Sequence, residues 1–139
     1  MPSFHPLNTR LITPEKVLFE GEVRSVVAPA VNGMLGVLGG HAPLMVALGS
    51  GVLKLTTGSE RSYYAVSGGF LQVKDNSVIV LADKAVDAAD VDLAEARNLQ
   101  SRLEKALDAE ADTVNRKRLK AELVEARAVV DAAEKYRDK

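Results

Sequence analysis

Two histidines, four closely spaced glycines, three aspartates and one basic run are the residues of this chain that could do chemistry. His41 could act as a general base. No Ser, Cys or metal-ligand partner stands at a recognisable spacing from it, and the other histidine, His5, lies near the N-terminus. A structural or interface role therefore suits His41 better. Gly33, Gly36, Gly39 and Gly40 could be taken for a phosphate-cradling loop. No Gly-Lys-Ser/Thr follows them and no helical pattern opens directly after them, so tight turns and close backbone approach explain them better. Cysteine is absent, which removes disulfides, thiolate nucleophiles and zinc-thiolate sites together. Asp87, Asp90 and Asp92 could ligate a metal. No Gly-containing calcium loop or bidentate Glu follows at the required spacing, so helix capping is the better reading. The run Arg116-Lys117-Arg118-Leu119-Lys120 carries two readings. It is a solvated face paired with Glu104, Asp108 or Glu122, or a docking face for an acidic partner. With no paired carboxylates on a recognisable scaffold, an enzyme is disfavoured.

The elements that would hold these residues fall into two modules. All ten glycines and all five prolines lie in the first half, ending at Gly69 and Pro43. These are the residues that let a chain turn tightly, so the two halves cannot be built alike. Residues 1–85 read as a β module. Short apolar runs at Leu7–Thr13, Val17–Val23, Arg24–Ala30, Met34–Gly40 and Gly51–Gly58 are separated by turn chemistry. Runs around Arg61–Gly69, Phe70–Asn76 and Ser77–Asp83 follow, with turns expected at Asn32-Gly33 and Asp75-Asn76. Strands at this spacing predict an antiparallel sandwich or barrel.

Residues 86–139 read as a helical hairpin. The first helix is predicted from about Val91 to Ala109, with a stripe of Ala96, Leu99, Leu103, Ala106 and Leu107. A break near Glu110–Thr113 allows Asp112 or Thr113 to cap a second helix running to about Tyr136. Its stripe is Leu119, Leu123, Ala126, Val130 and Ala133. Alanine buries little area, and at roughly 25 cal/mol per Å² such a hairpin gains little from packing. A loosely docked hairpin with more than one arrangement is expected.

Net charge is −1 at pH 7, so no global field draws in nucleic acid or an anionic membrane. No apolar run approaches the ~18 residues of a membrane span, and no charged-then-apolar leader opens the sequence. Direct membrane insertion is not expected, and a bacterial or organelle-encoded origin is.

The two modules, in this order, resemble the epsilon subunit of F-type ATP synthases. The most specific stretch is Gly33-Met34-Leu35-Gly36-Val37-Leu38-Gly39-Gly40-His41-Ala42-Pro43-Leu44. Ser67-Gly68-Gly69-Phe70-Leu71-Gln72-Val73, Val78-Ile79-Val80-Leu81-Ala82-Asp83 and the helix start Asp90-Val91-Asp92 add to it. Each is weak alone; their order and spacing together are specific.

The resemblance implies a β-sandwich of about ten strands followed by an antiparallel two-helix hairpin. It implies a non-catalytic central-stalk subunit that couples proton flow to ATP synthesis. Partners would be the gamma subunit and the rotor ring of c subunits, bound through Gly33, Met34, Leu35, Gly36, His41, Ala42, Pro43 and Leu44. An extended hairpin would reach the alpha/beta catalytic head and inhibit hydrolysis, with Arg116, Lys117, Arg118, Lys120 and Arg127 meeting an acidic segment of beta. Met34 stands where some relatives carry an acid, so ring contacts here would be more apolar. The subunit would sit peripherally on the cytoplasmic face of a bacterial membrane rather than on a thylakoid. Some relatives bind ATP in the folded hairpin. Asp92 and Arg127 match parts of that site, but Glu95 and Asp131 stand where arginines are needed, so no cofactor is expected. A free-standing nucleotide-sensing module and a generic adaptor are the competing readings.

Overall fold

The computed structural model describes residues 5–138. Eight strands come first: β1 (Leu7–Ile12), β2 (Val17–Val23), β3 (Ser25–Ala30), β4 (Gly33–Leu38), β5 (Leu44–Ala47), β6 (Ser50–Thr57), β7 (Glu60–Lys74) and β8 (Ser77–Asp87). A short 3-10 turn at Ala88–Asp90 leads to two helices, α1 (Leu93–Ala109) and α2 (Thr113–Arg137). The strands hydrogen-bond in the order β2-β1-β8-β7-β6-β3-β4, with β5 added to β7. Every pairing is antiparallel except β1 with β8, which is parallel.

This continuous sheet folds over on itself to make the sandwich. Leu7, Leu11, Val78 and Val80 from one end share a single core with Val26, Val37, Leu53 and Leu55 from the other. The fold line crosses β7 at Gly68-Gly69. Before it, Tyr64 and Val66 face the core; after it, Leu71 and Val73 do, so the side-chain alternation changes phase. Both glycines have positive φ, 68° and 105°. A Cβ on Gly69 would strike the carbonyl oxygen of Leu81. A strand that passes between layers needs such a bend, and here only glycine fits it.

The described residues form eight strands, close to the about ten that the resemblance implies, and they include β5, which the sequence runs did not mark. The runs around Arg61–Gly69 and Phe70–Asn76 read as two strands because glycines separate them. The glycines bend one 15-residue strand without ending it.

The hairpin forms two further layers. Asp92 caps α1 by accepting from the Glu95 N–H at 3.2 Å. Asp112 caps α2 by accepting from the Asn115 N–H at 2.9 Å. Leu119, Leu123, Ala126, Val130 and Ala133 on α2 are all buried. A second stripe, Ala128 and Ala132, is buried as well. It seats α2 on Val52, Tyr63 and Ala65 of the sheet and on Ala88. Two alanine-lined faces on one helix explain its position as the middle layer. On α1, Leu93 is buried and Leu99 is exposed, and α1 packs mainly against α2.

Candidate functional site

The sandwich has two outer faces, and they differ. Helix α2 covers the face built from β6 and the first half of β7. Among the described residues no helix covers the other face. Strand register places Ala47 beside Phe70, Phe70 beside Leu81, Leu81 beside Ile12, and Ile12 beside Val17. Their neighbours Leu71, Val80 and Leu11 point into the core, so pleating turns this row outward. An apolar row therefore crosses five strands. Val17, Phe70 and Leu81 are 48%, 41% and 37% exposed. Beyond it, Arg10 and Glu20 form a cross-strand ion pair at 2.9 Å.

One end of the row runs into the residues singled out from sequence. Gly33, Met34, Leu35 and Gly36 lie on β4, an edge strand. Leu35 packs on the core while Met34 is 63% exposed. The Val31 N–H donates to the Ala47 carbonyl at 3.0 Å, which brings the β3–β4 turn onto the end of β5. Val31, Met34 and Met45 then share one shallow groove, and all three are exposed. Together they form one contiguous exposed apolar surface.

His41, Ala42 and Pro43 form the loop between β4 and β5, and Leu44 opens β5. The loop is tied at two points. The Gly40 N–H donates to Asn76 Oδ1 at 2.7 Å, and the His41 N–H donates to the Leu38 carbonyl at 3.1 Å. The His41 ring nitrogen Nδ1 lies 2.6 Å from the Ala42 carbonyl and is spent on holding the loop. Among the described residues no group of three His, Cys, Asp or Glu side chains could hold a metal ion.

The basic residues of α2 separate into engaged and free. The Arg116 guanidinium donates to the Leu107 carbonyl at 2.6 Å and to the Glu110 carbonyl at 2.9 Å. Arg118 pairs with Glu122 on its own helix at 3.1 Å, and Arg127 meets Glu104 of α1 at 3.6 Å. Lys117 and Lys120 are exposed. Arg97 and Glu134 add a second bridge between the helices at 3.0 Å, and Lys84 of β8 reaches Glu125 of α2 at 3.3 Å.

Asp92 and Arg127 are not brought together. Asp92 caps α1, while Arg127 pairs with Glu104, which lies about 18 Å farther along the α1 axis. Glu95 is exposed beside that cap, and Asp131 holds Lys135 at 3.1 Å. One buried group is electrostatically unusual. Burial, helped by the negative charges of Asp87 and Asp90, pushes the Tyr64 hydroxyl up to about 12.

Sequence reasoning reached the loop residues through their motif but missed the apolar row. Phe70, Leu81, Ile12 and Val17 are far apart along the chain, and only register aligns them. The alternation within each strand carried the signal, but not which face was bare.

Residues 6–88 match the family described as ATP synthase, Delta/Epsilon chain, beta-sandwich domain. The ATP synthase epsilon chain of Syntrophomonas wolfei is 39% identical over 90% of this chain and 92% of its own length. That of Synechococcus sp. is 38% identical over 92% and 93%. Among solved structures, a chain of the Euglena gracilis mitochondrial ATP synthase (OSCP/F1/c-ring) shares the fold. Its TM-score is 0.81 at 22% identity, covering 91% of this chain and 81% of that one. A chain of the Tetrahymena thermophila central stalk and c-ring has a TM-score of 0.65 at 19% identity, covering 94% and 97%.

Proposed function

The chain belongs to the delta/epsilon family of ATP synthase chains, and on that premise we propose that its sandwich is an anchor and its hairpin a brake. It is a non-catalytic subunit of the central stalk. The bare sheet face carries the proposal. A sheet covered on one side by its own helix and apolar on the other has a place for one protein partner. We assign the row from Ala47 to Val17 to the gamma subunit. The Val31, Met34 and Met45 end, with the loop at His41–Leu44, faces the rotor ring. Exposed methionines suit such a contact because their flexible side chains adapt to an apolar partner.

The hairpin is seated on the sheet by small side chains and the exposed Lys84–Glu125 pair, so it can leave the sandwich without unfolding it. Extended along gamma, it would carry Lys117, Lys120 and the released arginines to the catalytic head and slow hydrolysis. Among the described residues no helix is long and apolar enough to cross a membrane. Membrane association would come through the ring, on the cytoplasmic face of a bacterial membrane. ATP has no favourable seat in the hairpin, because Glu95 and Asp131 add negative charge where phosphate needs cations.

The test is reconstitution with an alpha, beta and gamma head that lacks this subunit. The whole chain and a chain ending at Asp90 are each added, and binding and hydrolysis are measured. Both should bind, and only the whole chain should slow hydrolysis. Binding without inhibition by either would refute the brake. No binding by either would refute the anchor.

A further inference from the structure

The Arg116 side chain is placed where its own helix does not want it. It lies in the first turn of α2, where positive charge opposes the helix dipole. Its guanidinium instead reaches back to the carbonyls of Leu107 and Glu110, at the negative end of α1. The Leu107 carbonyl also accepts from the Glu110 N–H at 3.3 Å, but these carbonyls stand where α1 ends and lack the donor that a further turn of helix would supply. A cation there satisfies them and complements the α1 dipole at once. The contact is half-buried, unlike the ion pairs elsewhere on the hairpin.

This contact exists only when the chain turns back. In a straight helical run, Leu107 and Arg116 would be separated by about 13 Å along the axis, beyond the reach of an arginine side chain. It is thus a differential contact, made in the closed hairpin and lost in any extended one, which is what biases a two-state element. The Arg127–Glu104 and Arg97–Glu134 pairs also span the helices, but at exposed sites where water screens them.

We propose that Arg116 is the latch of the hairpin. It holds α1 against α2 by capping the end of α1, and its release is the step that lets the two helices part. The same release frees the guanidinium for an acidic partner, so closure and docking compete for one side chain. The latch is a property of the free chain and holds whether or not the hairpin inhibits hydrolysis.

The chain contains no cysteine, so paired spin labels can be placed on Ser101→Cys of α1 and Ala121→Cys of α2, both exposed. Distances between labels are measured in the full-length free chain. The parent should give one short distance. Arg116→Ala should raise the ratio of open to closed chains about ten-fold, in keeping with loss of a charge-assisted contact. Both bonds come from one guanidinium nitrogen, so Arg116→Lys, which keeps the charge on a shorter side chain, should fall between them. A distance distribution for Arg116→Ala identical to that of the parent overturns the latch. If Arg116→Ala loses helix content, hydrogen exchange on Arg116→Lys decides. Faster exchange in α1 with unchanged exchange in β7 and β8 supports the latch, and unchanged exchange in α1 overturns it.

Discussion

Gly69 on β7 lies opposite Ala82 on β8, so close that a Cβ on Gly69 would sit 2.9 Å from the Ala82 Cα and collide with the Leu81 carbonyl. Its φ of 105° is also one that a side chain resists. Gly69→Ala should therefore destabilise the sandwich by about 2–4 kcal/mol. Gly40 also has positive φ, at 82°, but has open space where a Cβ would go. Gly40→Ala should cost only about 1 kcal/mol. Urea unfolding of the two variants checks the contrast, and equal losses would show that φ alone sets the cost.

Tyr64 stands across from Asp87 in the β7–β8 ladder, buried in the sandwich core. Its hydroxyl ionises near 12 in the folded chain, against 10.0 for an ordinary tyrosine. Between those values the unfolded chain has lost a proton that the folded chain keeps. Stability from this group is thus fully present below pH 10 and is lost as pH rises toward 12. The loss should amount to roughly 3 kcal/mol at most. Unfolding free energies of the parent and Tyr64→Phe across this range should differ by that slope, and parallel curves would sink the assignment.

Ala132 is fully buried where α2 meets Val52, Tyr63 and Ala65. Ala132→Leu has no room for its added methylenes and should weaken docking by about 1–3 kcal/mol. Hydrogen exchange should quicken in α1 and α2 while the core strands keep their protection. Lys84→Ala removes an ion pair whose side chains are 71% and 36% exposed. It should change docking by less than about 1 kcal/mol.

Phe70 and Leu81 face outward, so Phe70→Asp and Leu81→Asp should leave the melting temperature within about 2 °C of the parent. If gamma covers them, each should weaken gamma binding at least ten-fold, roughly the loss expected for a central contact. Surface plasmon resonance on gamma measures it, and unchanged affinity would move the interface elsewhere.

Nucleotide should find no seat in the closed hairpin. Isothermal titration with millimolar ATP should give no saturable heat. Saturation well below a millimolar would contradict the repulsion assigned to Glu95 and Asp131.

Much of the fold was legible because the chain marks its own turns. Asp75-Asn76 forms the β7–β8 turn with φ of 50° and 59°, as the residue types require. Asp92 and Asp112 announced both helix starts. Two features were not legible. The glycines at positions 68 and 69 read as a stop because bends and ends share a composition. The second buried stripe, Ala128 and Ala132, was hidden because alanine suits a solvent face as well as a tight helix–sheet contact. For the proposed binding surface, local motif pointed to the loop at His41, whereas the row through Phe70 and Leu81 depended on register between distant strands.

The parallel pairing of β1 with β8 sets when this protein can fold. Asn8 faces Ser77, so the first strand made must wait for the last. Until then the edge of β1 is unpaired, and a nascent chain that stalls early offers it to aggregation. Long-range closure of this kind is slow, on the order of milliseconds to seconds. Once β8 has been made, residues 88–139 are still to come, which at ordinary synthesis rates takes roughly 3–10 s. The sandwich thus has its last strand before the helices that pack on it have been made.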